Sequence, residues 1–171
     1  MKYSEIINAI ESQVESYEGL TFIVTGPQQA NTYATGQASP SKHLVILDPP
    51  RYTGSIQNMT IQKQYEIDMA FMFHIEQDAS FEEAQARVNV ADQYATHFLV
   101  SLNQNEQGTT LFNNASITNI AVTPWHRFTW NAQNMAGVSL QFNVSTIDTF
   151  DYCDLQEGIG EMIIESTFII S

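Results

Sequence analysis

The sequence predicts an α+β fold: a mainly antiparallel sheet with an N-terminal helix and a second amphipathic helix packed on one face. Three observations predict it. Apolar and polar residues alternate from Ile61 to Ile75, which is the period of a strand with one dry and one wet face. Apolar residues recur at three- and four-residue steps from Phe81 to Leu102, which is the period of a helix lying on a core. The order helix, strands, helix, strands contains no repeat and no compositional linker, so one sheet covered by helices accounts for the whole pattern.

Tyr3 to Tyr17 is the first predicted helix, with Ser4 as N-cap, a stripe of Ile6, Ile7, Ile10, Val14 and Tyr17, and Gly19 as its stop. Leu20 to Thr25 is a short β-branched and aromatic run closed by Gly26-Pro27, hence a strand. Gly26 to Lys42 holds almost no apolar side chain and reads as a long mobile loop; loops of that length inside a domain are usually functional. Leu44 to Leu47 returns to strand and is halted by Asp48-Pro49-Pro50.

In the long alternating strand, Ile61, Tyr65, Ile67, Met69, Phe71, Phe73 and Ile75 form the buried row, while Gln62, Gln64, Glu66, Asp68 and His74 form the wet row. Ser80 and Glu83 make a capping box that starts the second helix. Ile117, Ile120 and Val122 predict a strand ended by Pro124, with Trp125 to Trp130 opening another. Ala132 to Gly137 reads as a turn, and Val138, Leu140, Phe142 and Val144 as alternate positions of a half-exposed antiparallel strand. The expected organisation is one domain over residues 1–158 and an apolar C-terminal arm over 159–171.

A chain of 171 residues, 43% hydrophobic and 11% aromatic, can bury a real core. Six Lys+Arg against 19 Asp+Glu give a net charge of −13, so the cationic footprint of a nucleic-acid reader is absent. Its polar surface comes instead from amides and hydroxyls, with 12 Asn and 15 Gln. Glu5, Glu11, Glu15 and Glu18 interrupt what would have to be a secretory leader, and no apolar run is long enough for a membrane helix. No membrane association is therefore expected. Cys153 is the only cysteine, which excludes an internal disulfide and a thiolate metal cage from one chain.

No residue pattern identifies an enzyme. His43, His74, His97 and His126 show no HExxH spacing, and no nucleophile elbow, Walker loop or dinucleotide fingerprint occurs. Cys153 stands beside Tyr152 and Asp154, where an acidic neighbour raises a thiol's pKa and leaves it inert. Glu66 and Asp68 share the wet side of one strand and have the chemistry of an acid and base pair, against which solvated surface charge is the simpler role. Trp125, Phe128, Trp130 and Tyr94 offer rings for stacking on bases or sugars, against which core packing or a subunit contact is the simpler role. No catalytic residue, metal or cofactor is assigned.

The last third is distinctive in charge. Phe128 to Ser171 contains no Lys or Arg, while Asp148, Asp151, Asp154, Glu157, Glu161 and Glu165 recur every three or four residues. They do not fit the alternating ligand spacing of an EF-hand. Beyond the Gly158 and Gly160 hinge follow Met162, Ile163, Ile164, Phe168, Ile169 and Ile170, an apolar tail that is costly to leave in water and is expected to pack in the core or on a neighbouring subunit.

In its order of elements, the chain resembles the small tail-terminator, tail-completion and neck-ring proteins of tailed bacteriophages. The helix Tyr3 to Tyr17, strand Leu20 to Thr25 with its long loop, strand Ile61 to Ile75, capped helix Ser80 to Leu102 and strand Val138 to Val144 carry the likeness; no sequence motif does. The resemblance implies a non-enzymatic structural protein of the virion neck or tail, assembled in the host cytoplasm as a six-fold or twelve-fold ring. Its neighbours would be portal, adaptor or tail proteins, and DNA would pass through it without sequence-specific binding. On that expectation, Asp148, Asp151, Asp154, Glu157, Glu161 and Glu165 face the channel, and Gln28, Asn31, Tyr33, Phe168, Ile169 and Ile170 contact other subunits. The alternatives are a small-ligand binder or enzyme whose odd-face aromatics line a pocket, and an acidic adaptor or inhibitor of a basic partner.

Overall fold

The computed structural model describes residues 3–24, 43–57, 60–104, 116–130 and 133–149. Among the described residues, two helices, α1 (Tyr3–Glu15) and α2 (Phe81–Gln104), accompany six strands: β1 (Leu20–Val24), β2 (His43–Leu47), β3 (Arg51–Gln57), β4 (Thr60–His74), β5 (Ser116–Trp130) and β6 (Gln133–Thr149). The strands form one sheet in the order β1-β2-β4-β6-β5, and β3 also pairs with β4. The fold is α+β with a mostly antiparallel sheet; only β1 and β2 run parallel.

β4 is the spine. Along one side it pairs with β6 without a break from Thr60↔Thr149 to His74↔Met135. On its other side β2 and β3 lie end to end, with Leu47 opposite Met69 and Arg51 opposite Glu66. The Asp48 N–H donates to the Asp68 carbonyl at 2.9 Å. Three residues thus face two across the gap, and the extra residue makes a bulge at Pro49-Pro50. The prolines do halt β2 where expected, yet the chain resumes as a strand on the same partner. β3 itself was not legible: of its seven residues only Tyr52 and Ile56 are large and apolar, and Gly54 sits at the centre.

The helices explain which face of β4 is dry. Ile6, Ile10 and Val14 of α1 are completely buried, as are Ala91, Ala95 and Phe98 of α2. They share one core with Tyr65, Ile67, Met69, Phe71 and Phe73 of β4 and with Val138, Leu140, Phe142 and Val144 of β6. Each large side chain buried there contributes about 1.5–3 kcal/mol, and the alanines at 84, 91 and 95 let α2 approach the sheet closely. Phe98 reaches furthest across the core, edge-on to Phe71 at 5.9 Å and to Phe142 at 6.3 Å.

Helix ends follow local chemistry. The Ser80 N–H donates to Glu83 Oε2 at 2.7 Å while the Glu83 N–H donates to Ser80 Oγ at 3.2 Å, the reciprocal pair that the sequence predicts. α1 ends at Glu15, the Tyr17 N–H still reaches the Val14 carbonyl at 3.0 Å, and Gly19 follows at φ 81°, a left-handed conformation that glycine adopts without penalty.

Two expectations fail at the other end of the sheet. Pro124 does not end a strand, because β5 runs through it from Ser116 to Trp130. An edge strand has one unpartnered side and so tolerates a missing N–H. Gly137 is not in a turn but inside β6, opposite Met72 and Trp125. The β5–β6 register slips by one residue between Thr118 and Ala121 and again between Trp125 and Phe128. Asn119 in the first bulge has φ 56°, a conformation open to asparagine. The second bulge turns its two residues toward α2: Arg127 Nη2 donates to the Ala79 carbonyl at 2.9 Å, and His126 lies 2.6 Å from Gln85 Oε1 and stacks on Phe81.

Candidate functional site

The sheet face away from the helices has two unlike halves. Toward β1, Ile23, Leu44, Ile46, Met72 and Met135 form a second buried cluster with Ala70 against it. Met72 and Ala70 therefore depart from the wet row that strict alternation predicts. Toward the far ends of β4 and β6 the same face is polar as far as the Gln64 row, beyond which the exposed Ile147 stands opposite Gln62, and the strand register defines its rows. Asp68 stands beside Gln141, Glu66 lies between Arg51 and Asn143, and Gln64 lies between Thr53 and Ser145. Across β6 these rows continue to Ala121, Thr118 and Ser116 of β5.

Charges on this polar half are matched locally. Arg51 Nη2 lies 3.9 Å from Glu66 Oε2, both well exposed, and Gln141 Nε2 donates to Asp68 Oδ2 at 3.0 Å. Arg51, Tyr52, Thr53, Gln64, Glu66 and Asn143 line a shallow groove of about 290 Å³. Glu66 and Asp68 do share one face, as alternation requires, and each is engaged by a neighbour.

Trp125 joins the same face from the edge strand. Its side chain is 42% exposed, so it is not core. The indole Nε1–H donates to Ser139 Oγ at 3.0 Å, and the ring meets Phe128 edge-on at 6.0 Å. Its cross-strand partner Gly137 has no side chain to compete for the space. The other aromatic candidates go elsewhere: Tyr94 stacks on Phe73 and meets Tyr17, and Trp130 is the last residue of β5. Tyr65, Phe71 and Phe73, which the ligand-binder alternative needs around a pocket, are buried under the helices.

The histidines have separate environments. His97 Nδ1 lies 2.9 Å from the Tyr17 hydroxyl and 3.4 Å from Ser101 Oγ, and the first contact ties the turn after α1 to α2. His43 rests on Phe73 at 4.6 Å; burial, then the charges of Arg87 and His74, hold its pKa below the usual histidine range. Among the described residues no group of three His, Cys, Asp or Glu side chains is placed to hold a metal ion.

Asp48, at the bulge, is the acid whose environment matters to stability. Burial raises its pKa first, the Asp68 charge raises it further, and Arg51 partly offsets both. An acid whose folded pKa exceeds its unfolded value contributes stability at low pH and loses it as pH rises through the folded value. Asp48→Asn should therefore give a modest rise in melting temperature at pH 7 and none near pH 2.5. Melting curves across that range check it, and an unchanged temperature at pH 7 counts against the assignment.

Asp148, opposite Ile61 near the end of β6, is the one predicted channel residue within the described strands. Asp151, Asp154, Glu157, Glu161 and Glu165 lie outside the described residues, as do Gln28, Asn31, Tyr33, Phe168, Ile169 and Ile170. The loop 26–42 and the arm 159–171 do so too. The core role weighed for Trp125 does not hold; the sequence signal for its half-exposed, hydrogen-bonded position is a small residue and a hydroxyl, Gly137 opposite it and Ser139 two residues on along the facing strand. No known family model matches the chain, and no curated protein matches its sequence.

Proposed function

We propose that the chain is a self-assembling structural subunit, and that it serves in the neck or tail of a tailed bacteriophage as a closed ring through which DNA passes. The observation that supports assembly is the edge strand β5. Besides Trp125, two of its side chains, Ile120 at 52% and Val122 at 41%, are large, apolar and exposed, and these two are proposed to make the contact. Its backbone is nevertheless a poor template for adding another strand, because Pro124 offers no N–H and two bulges break the line. An edge that is adhesive through side chains but blunt through its backbone favours a discrete contact over endless sheet extension. When such a contact joins two different surfaces of neighbouring copies, a rotation per copy that divides a full turn closes it into a ring.

Charge supports the same role. A ring multiplies the net −13 of each copy, and an acidic lumen lets a phosphate backbone slide without being held. The acidic residues from Asp148 to Glu165 are proposed to face that lumen, and the apolar arm 159–171 to hold the neighbouring copy. Sedimentation of the purified protein, followed by negative-stain imaging, tests the proposal. A closed multimer is expected, and truncation after Glu157 should reduce it to monomers while shifting the melting temperature little. A monomer at all concentrations, or loss of folding on truncation, argues against ring and arm respectively.

A further inference from the structure

We infer that the polar half of the open sheet face, together with Trp125, is a binding face for a neutral oligosaccharide strand. The inference is independent of the ring. Trp125 supplies the stacking surface: an exposed indole fixed by its bond to Ser139 and its contact with Phe128 presents a flat ring at little further ordering cost, and rings of this kind meet the C–H face of a sugar. From there the face runs along β6 through Ser139, Gln141 and Asn143. At 3.4 Å per residue the distance from the Gly137 row to the Asn143 row is about 20 Å, room for several sugar units in line. The groove lined by Arg51, Thr53, Gln64, Glu66 and Asn143 is the far end of that track.

The chemistry selects the ligand class. Amide, carboxylate and guanidinium groups present donors and acceptors in fixed pairs, which suits adjacent hydroxyls. Charge complementarity favours an uncharged partner: Arg51 offsets Glu66, and the Gln141 amide occupies one oxygen of Asp68. The face thus lacks the surplus of cations that a phosphate or sulfate chain requires. A metal ion is disfavoured because the described residues bring no three ligating groups together.

A glycan array carrying neutral glucans, xylans, mannans, galactans and chitin oligomers, with sulfated and uronate chains as comparators, tests this. Binding to at least one neutral series is expected. The chain has two tryptophans, so Trp130→Phe leaves Trp125 as the only indole, and its fluorescence should change on titration with the hexasaccharide of that series. Trp125→Ala should weaken binding at least tenfold. Asn143→Ala and Gln64→Ala, which leave the aromatic corner untouched, should each weaken it several-fold with an unchanged circular dichroism spectrum. A silent array, binding confined to the anionic chains, or binding that Asn143→Ala and Gln64→Ala leave within twofold overturns the proposal.

Discussion

Gly137→Ala should severely destabilise the fold. A Cβ placed on Gly137 would collide with the carbonyl oxygen of Phe71 and come within 3.0 Å of its carbonyl carbon and 3.1 Å of Met72 Cα. All three atoms belong to the backbone of β4, so no side chain can rotate away. Relief requires β6 to separate from β4 two pairs from the His74↔Met135 end of the longest ladder of the sheet. Overpacking typically costs about 1–3 kcal/mol, and a backbone clash with no outlet lies at or above the top of that range. Against a total stability of about 5–15 kcal/mol, the variant should lose its cooperative melting transition or melt far below the parent. By contrast Gly54→Ala, whose Cβ would have ordinary clearance of 3.4 Å from the Gln62 carbonyl oxygen, should fold. A Gly137→Ala protein with parental melting would show that the two strands are further apart than described.

Phe98→Ala should be nearly as damaging through the opposite defect. Phe98 is fully buried and is the side chain of α2 that meets rings on both central strands, Phe71 of β4 and Phe142 of β6. Truncation removes that bridge and leaves a hole between helix and sheet, at a cost of about 3–5 kcal/mol. Urea titration should show the midpoint falling with the slope unchanged. Phe98→Leu, which refills most of the volume, should recover more than half of the loss. Equal effects of the two substitutions would mean that the cavity is not what matters.

How much of this was legible in the sequence depends on which signal each element carried. β4 and the two helices were read nearly to their ends because their periodicity comes from burial, and burial is what the helices and sheet impose on one another. Ser80 and Glu83 marked the start of α2 by a purely local exchange of hydrogen bonds. β3 was invisible because it is polar and contributes little to the core; its pairing with β4 is a tertiary fact. Pro124 and Gly137 misled for one reason. Each has a strong local preference that the sheet overrides, the proline because its strand is at an edge and the glycine because a neighbouring backbone comes too close for any other residue. The open face divides for a similar reason: alternation predicts which side chains share a face but not which part of that face is dry. Trp125 was read as core or subunit contact because aromatic residues usually are one or the other, and only register reveals that its partner across the ladder is a glycine.

The unbroken pairing of β4 with β6 also fixes when the molecule can fold. Thr60 must wait for Thr149 and His74 for Met135, with all of α2 and β5 synthesised in between. At ribosomal speeds of about 5–20 residues per second, the interval is on the order of several seconds to more than ten. Throughout it, the apolar row from Tyr65 to Phe73 lacks its longest neighbour and has only β2 and β3 beside it, with α1 and a newly made α2 for cover. Sheets dominated by such distant pairings fold slowly for their size, and this one cannot be completed on the ribosome strand by strand. The ladders that join β4 to β6 and β6 to β5 close only once β6 has been made.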